Sequence, residues 1–267
     1  MEKVIDSEKV IATIREAARI MQEGRFSIMY KGGVENVVTS SDLAVQHYLT
    51  RELSALLPGC GFFCEEEDVK DTREEYVWII DPIDGTANYA RGLADCCISV
   101  ALEHKGELVL GIVYSPARGE LYHAEKGRGA FCNGKPIHVS DRPFEAGILC
   151  TAMSTYRKQY AKACSDIIYD IYMRSNDLRR YGSAAVELCL MASGYIELYF
   201  EMRLQPWDYA AGQLILEEAG GCAAGFDGNA PSLEHASMFV AANSRDNLDG
   251  ILSSVRKYLP ALPEDFI

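Results

Sequence analysis

The stretch YVWIIDPIDGTANYARG, Tyr76 to Gly92, constrains the fold more than any other part of the chain. Tyr76, Val77, Trp78, Ile79 and Ile80 are β-branched or aromatic and lack helical spacing, which predicts a short strand. Asp81 precedes Pro82 and is therefore biased toward extended backbone, and Gly85 permits a turn or a close approach to a ligand. Two carboxylates, Asp81 and Asp84, are thus expected at a strand end, where α/β sheets commonly hold their chemistry.

The rest of the chain sets the bounds. With 267 residues and 48% hydrophobic content it can bury a large core, as one domain or two closely packed halves. It has no apolar run near the roughly 18 residues of a membrane span, and the start MEKVIDSEKV is too charged for a secretory signal. A cytoplasmic protein is expected. Nine cysteines without a CxxC pair predict reduced core thiols, neither a disulfide framework nor a zinc ribbon. A net charge of −13 argues against a nucleic-acid surface, although metal ions can still bring anionic substrates to an acidic protein.

Apolar residues at Val10, Ile14, Ala17 and Met21 predict a first helix, with Ser7 as N-cap and Gly24 as stop. A second helix is expected from Ser41 or Asp42 to the Pro58-Gly59 break, after a polar loop KGGVENVVTSSD. CISVALEH, ELVLGIVYSP, GELYHAEKG and AFCNGKPIHVS read as an antiparallel meander. Beyond about Asp141 the pattern becomes helix SAAVELCLMASG, strand YIELYFEM, helix DYAAGQLILEEAGG, strand MFVAAN and helix DNLDGILSSVRKYL. The change suggests an N-terminal α+β unit, residues 1–140, that binds metal and a C-terminal α/β unit, residues 141–267, that binds substrate.

Acidic residues cluster at Glu65, Glu66 and Glu67, at Asp81 and Asp84, at Glu201 and at Asp208. Like charges converge on one point only if something compensates them, and a divalent metal is the usual agent. Oxygen donors without nearby His or Cys favour Mg²⁺ or Mn²⁺ over zinc. The plainer readings are a solvated turn for the three glutamates and an N-cap for Asp208. Asp84, Gly85 and Thr86 further suggest an anion seat at a helix start, against the alternative of an ordinary β-turn. GAFCNGKP fits the spacing of a phosphate-binding loop, but Pro136 replaces the Ser/Thr and CNGK reads as a hairpin turn. The five histidines show no metal spacing, and no G-x-S-x-G elbow is present.

WIIDPIDGTANYARG closely resembles the first signature of the inositol monophosphatase family, and PWDYAAGQLILEEAGG its second. CEEE, VTSSD, GRGAFCNGKPIHVS and YGSAAVELCLMASGYIELYFE extend the resemblance almost end to end. It implies a layered α-β-α-β-α sandwich, with an antiparallel sheet in the N-terminal half and a mostly parallel one in the C-terminal half. It also implies hydrolysis of a small phosphate monoester, with two or three Mg²⁺ per subunit (Mn²⁺ as an alternative), a homodimer and inhibition by lithium. Glu65, Asp81 and the Ile83 carbonyl resemble the ligands of a first metal, and Asp81, Asp84 and Asp208 those of a second. Thr86 and Asp42, with Glu65, are similar to the group that orients the attacking water. Gly85 and Thr86 would meet the phosphate beside Asp84 and Asp208, and Gly182, Ser183, Ala184 and Glu201 the cyclitol hydroxyls. Asn36, Arg203 and Gln205 depart from the family pattern and leave the substrate open between inositol 1-phosphate, fructose 1,6-bisphosphate and 3'-phosphoadenosine 5'-phosphate. A regulatory binding role, as some members have with transcription machinery, is the alternative from another class.

Overall fold

The computed structural model describes residues 5–23, 26–30, 37–66, 70–71, 74–153 and 157–259. Helix α1 (Ser7–Glu23) presents Val10, Ile14, Ala17 and Met21 to the core, as the spacing predicts. Its cap differs: Asp6 Oδ1 accepts the Glu8 N–H, while Ser7 lies inside the helix and donates to Glu125 at 2.5 Å. The expected stop, Gly24, lies outside the described residues. The segment read as a polar loop includes β2 (Val37–Thr39), which pairs with β1 (Ile28–Tyr30) just before that segment and leads directly into α2 (Ser40–Leu56).

An eight-stranded sheet follows: β3 (Gly61–Cys64), β4 (Lys70–Asp71), β5 (Tyr76–Asp84), β6 (Cys97–His104), β7 (Glu107–Ser115), β8 (Glu120–Glu125), β9 (Ala130–Cys132) and β10 (Lys135–Ile137), in the order 10-9-8-7-6-5-3-4. The meander is antiparallel throughout, and only β3 and β5 run parallel. The β9–β10 turn places Asn133 at φ 50° and Gly134 at φ 74°, a tight hairpin that leaves no phosphate-binding loop. After β5 comes α3 (Thr86–Tyr89), a single short turn.

The second half holds β11 (Ile148–Ala152), α4 (Ala161–Tyr172), β12 (Asp177–Arg179), α5 (Ala184–Ala192), β13 (Leu198–Leu204), α6 (Pro206–Glu218), β14 (Cys222–Ala224), β15 (Ser237–Ala242) and α7 (Arg245–Tyr258). Its five strands stand in the order 12-11-13-15-14. β11 pairs in parallel with β12 and β13, whereas β15 is antiparallel to both β13 and β14, so this sheet is mixed rather than mostly parallel.

Three apolar clusters define five layers. Trp78 and Ile80 of β5 point into the core under α1 and α2, while Val77 and Ile79 point to the opposite side, against α5 and α6. That is the period-2 alternation of a strand buried on both faces, where each large side chain contributes about 1.5–3 kcal/mol. Tyr199 and Phe239 of the second sheet join the same central cluster, and Phe200 and Val240 face α4 and α7. The result is the α-β-α-β-α sandwich. Every residue of α5 is buried, as a helix covered by a sheet on each side requires. The cysteines are free thiols, most of them in these cores.

Candidate active site

The site begins with an irregularity in β5. Asp81 pairs with Ser99 and Asp84 with Cys97, so three steps along β5 match two along β6. In a regular strand residues three apart face opposite sides. This one-residue bulge turns Asp81 and Asp84 to the same side. Pro82, which cannot donate to a sheet ladder, sits within the bulge. The Ile83 N–H turns to Asp81 Oδ1 at 2.9 Å, and the Ile83 carbonyl accepts the Thr86 hydroxyl at 2.9 Å.

The central helices supply the rest. Ser183 caps α5, and its hydroxyl donates to Asp84 Oδ2 at 2.6 Å while the Ala185 N–H donates to the same oxygen at 2.7 Å. The N-terminal end of α5 therefore faces a carboxylate, the favoured sign for a helix dipole. Asp208 is the third residue of α6, which starts at Pro206, so it is not the N-cap; its Oδ2 accepts the N–H of the capping Gln205 at 2.7 Å. Oxygens of Asp81, Asp84 and Asp208 come within 4.8 Å of one another.

Glu65 continues the line of β3, its N–H donating to Ile80 O at 3.2 Å, and its side chain lines the same cleft. Glu66 is buried, with both backbone groups gripped by Gln46: Nε2 donates to Glu66 O at 2.7 Å, and Oε1 accepts the Glu66 N–H at 3.0 Å. The solvated-turn reading therefore fails for Glu65 and Glu66; Glu67 lies outside the described residues. Asp42, fully buried on the first turn of α2, accepts from the Thr39 N–H and hydroxyl at Oδ2 and from Thr86 Oγ1 at Oδ1, 3.1 Å away.

Electrostatics separate the acids. Burial first, then the charges of Glu65, Asp84 and Asp208, drives Asp81 well above the usual carboxylate range. Asp208 is driven up in the same way, by burial and then by Asp84 and Glu65. Asp84 rises only to about 6, because the donors of Ser183 and the start of α5 offset its desolvation. Burial takes Glu201 to about 7, opposed by the Tyr199 hydroxyl that donates to Oε2 at 2.7 Å. A group of buried and half-buried, mutually repelling carboxylates, with oxygen donors only, is chemically fitted to a hard divalent cation, which would remove the repulsion and favour the ionised forms.

The cleft has a volume of about 180 Å³. Of the residues anticipated from sequence, it brings together Glu65, Asp81, Ile83, Asp84, Gly85, Thr86, Gly182, Ser183, Ala184, Glu201 and Asp208. Asp42 stands behind Thr86, outside the lining. Ser183 directs its hydroxyl to Asp84. Arg203 is half-buried on β13 and does not line the cleft, whereas Arg180 does. Asn36 lies outside the described residues. Sequence reasoning missed Gln46, Asn88, Arg180 and Glu187. Gln46 follows Asp42 by four residues and so shares its helix face, a signal available from spacing.

The inositol monophosphatase family model matches residues 3–259. The chain belongs to the inositol monophosphatase family. An inositol-1-monophosphatase of Mesorhizobium japonicum is 34% identical over 232 residues, covering 86% of each chain. Nus factor SuhB of Escherichia coli is 35% identical over 198 residues, 73% of this chain and 74% of that protein. The crystal structure of extragenic suppressor protein SuhB from Bartonella henselae superposes with a TM-score of 0.86 at 28% identity, covering 94% of this chain and 98% of that one. Family membership supports a phosphatase, and the described residues include no helix long and apolar enough to cross a membrane.

Proposed function

We propose that the chain is a Mg²⁺-dependent phosphomonoesterase acting on inositol monophosphate or a closely related small sugar phosphate. The observation that carries this reading is the convergence of Asp81, Asp84 and Asp208 within 4.8 Å in a cleft also lined by Glu65 and Thr86. Glu65, Asp81 and the Ile83 carbonyl would hold one cation, and Asp81, Asp84 and Asp208 a second; Mn²⁺ suits the same oxygen donors. Bound divalent cations supply charge neutralisation for phosphate oxygens and a more acidic water.

The chain's own groups provide positioning. The single Thr86 hydroxyl hydrogen is within reach of both Ile83 O and Asp42 Oδ1; with the Ile83 carbonyl given to a cation it would go to Asp42, and Oγ1 would keep lone pairs to accept from a water in the cleft and hold it for attack on phosphorus. Glu65, on the cleft wall, would assist in holding that water. Gly85 at φ +85° lets the chain turn from β5 into α3, so that its backbone N–H and that of Thr86 stand beside Asp84 for a phosphate. Glu201, with Tyr199 holding Oε2, keeps its other oxygen for a substrate hydroxyl, next to Gly182 and Ala184. Such a site recognises a compact polyol, in keeping with the name of the Mesorhizobium relative.

The test is phosphate release from inositol 1-phosphate, fructose 1,6-bisphosphate and 3'-phosphoadenosine 5'-phosphate, with and without Mg²⁺. Metal-dependent turnover led by inositol 1-phosphate supports the reading; turnover led by either other ester reassigns the substrate, and metal-independent release overturns it. A second reading, a regulatory protein-binding role, draws on the name Nus factor carried by the Escherichia coli relative. It would be favoured by an Asp84→Asn variant that loses phosphate release and keeps a protein partner.

A further inference from the structure

We propose that Glu187 and Asn88 are positioning residues that act through the Tyr181–Ser183 segment to fix the orientation of the Asp84 carboxylate. The inference rests on the reading of Asp84 as a cation ligand. Glu187 is a buried acid on an otherwise apolar helix, AAVELCLMA, and its Oε1 accepts the Tyr181 N–H at 2.6 Å and the Gly182 N–H at 3.1 Å. Side chains on a helix lean toward its N-terminus, so Glu187, at the end of the first turn, reaches the segment leading into α5. From the other side, Asn88 Nδ2 donates to Tyr181 O and to Asp95 O, each at 2.7 Å. Tyr181 is thus held by its N–H and its carbonyl at once. Gly182 follows at φ +85°, so close to Asn88 that a Cβ would lie 3.2 Å from Nδ2.

The next residue, Ser183, delivers its hydroxyl to Asp84 Oδ2, and α5 adds the Ala185 N–H. With Oδ2 taken by these two donors and, at 3.9 Å, by the Cys97 thiol, the other oxygen is left for the acidic cluster. Glu187 is poorly explained as a stabilising device, because burial and the nearby Glu201 both oppose its ionisation. Its benefit is geometric: it fixes two backbone groups that an apolar side chain would leave unpaired, in the manner of the outer groups that orient metal ligands.

The experiment measures Mn²⁺ binding by calorimetry in wild type, Glu187→Ala, Glu187→Gln and Asn88→Ala. Amide hydrogen exchange at Tyr181, Gly182 and Ala185 is followed in parallel on the metal-free proteins. Glu187→Ala and Asn88→Ala are expected to bind Mn²⁺ about 10- to 100-fold more weakly and to exchange these amides faster. Glu187→Gln keeps an acceptor oxygen for both N–H groups and should match wild type in both. Unchanged affinity and exchange in the alanine variants, or a glutamine variant as impaired as alanine, overturns the proposal. If Glu187→Ala does not fold, Asn88→Ala carries the comparison from the other face of the segment. A wild type that binds no Mn²⁺ refutes the cation reading, and the exchange rates then decide the positioning by themselves.

Discussion

Thr86 Oγ1 lies 3.1 Å from Asp42 Oδ1, joining residues 44 positions apart in the sequence. The other Asp42 oxygen already accepts two donors from Thr39, so the carboxylate can only accept from Thr86. In Asp42→Asn, the amide oxygen must serve Thr39, which turns the NH₂ toward Thr86 and reverses the direction of that bond. The variant is expected to lose about 10²–10⁴ in kcat with KM little changed, and Thr86→Ala should match it while Thr86→Ser retains most activity. Steady-state kinetics on inositol 1-phosphate decides this; wild-type kcat in Asp42→Asn refutes the role of the pair.

Asp84→Asn separates stability from activity. Its amide oxygen can still accept from Ser183 and Ala185, and one like charge leaves the cluster. Without metal this variant should melt a few degrees above wild type, at roughly 2–4 °C per kcal/mol, yet release no phosphate and gain nothing from Mg²⁺. Melting curves with Mg²⁺ and with chelator test both halves, and a variant that melts below wild type without metal would contradict the repulsion argument.

The same repulsion sets a pH dependence. Folding raises Asp84 from 3.8 to about 6 and Glu201 from 4.5 to about 7, chiefly by desolvation. Between the lower and upper values the folded chain holds protons that the unfolded chain has released, so stability falls as pH rises through that window. Metal-free protein should therefore melt lower at about pH 8 than at about pH 5. Mg²⁺ should raise the melting temperature more at the higher pH, because ionised carboxylates bind it. A metal effect that is equal at both values would dissociate these acids from the cation.

Gly85→Ala places a Cβ on backbone at φ +85°, 2.8 Å from the Asp95 carbonyl oxygen. Gly59, at φ +81°, has nothing within 4 Å of a built Cβ and isolates the backbone strain. Gly59→Ala should cost about 1–2 kcal/mol, and Gly85→Ala at least about 1 kcal/mol more from the added overlap, together with loss of turnover. Denaturant melts of the two variants give the comparison; equal losses would show that the Asp95 contact yields freely.

Much of the candidate site was legible in the chain because its carboxylates sit in contiguous, strongly patterned segments. Asp81 and Asp84 close an unmistakable strand, and Asp208 lies in the first turn of a helix marked by Pro206. The meander was readable from its turns. β11, α4, β12 and β14 were not read, because short strands and a helix between them draw their order from packing against β13, β15 and α7 rather than from local pattern. The bulge at Asp81–Asp84 could not be read from spacing alone, since it appears only when β5 is paired with β6. Glu187 was hidden for a related reason: its partners are backbone N–H groups, which leave no residue signature.

The burial of α5 on every side has a kinetic corollary. Its backbone amides can reach solvent only through openings that separate the two sheets, which places them among the slowest-exchanging groups of the molecule. Asp84 is tied to the first turn of that helix and Asp208 to the first turn of its neighbour α6. The acidic centre therefore belongs to the last cooperative unit to open. On the proposed reading, motion that admits a phosphate ester would have to come from the rim of the cleft, with the carboxylate scaffold left stationary.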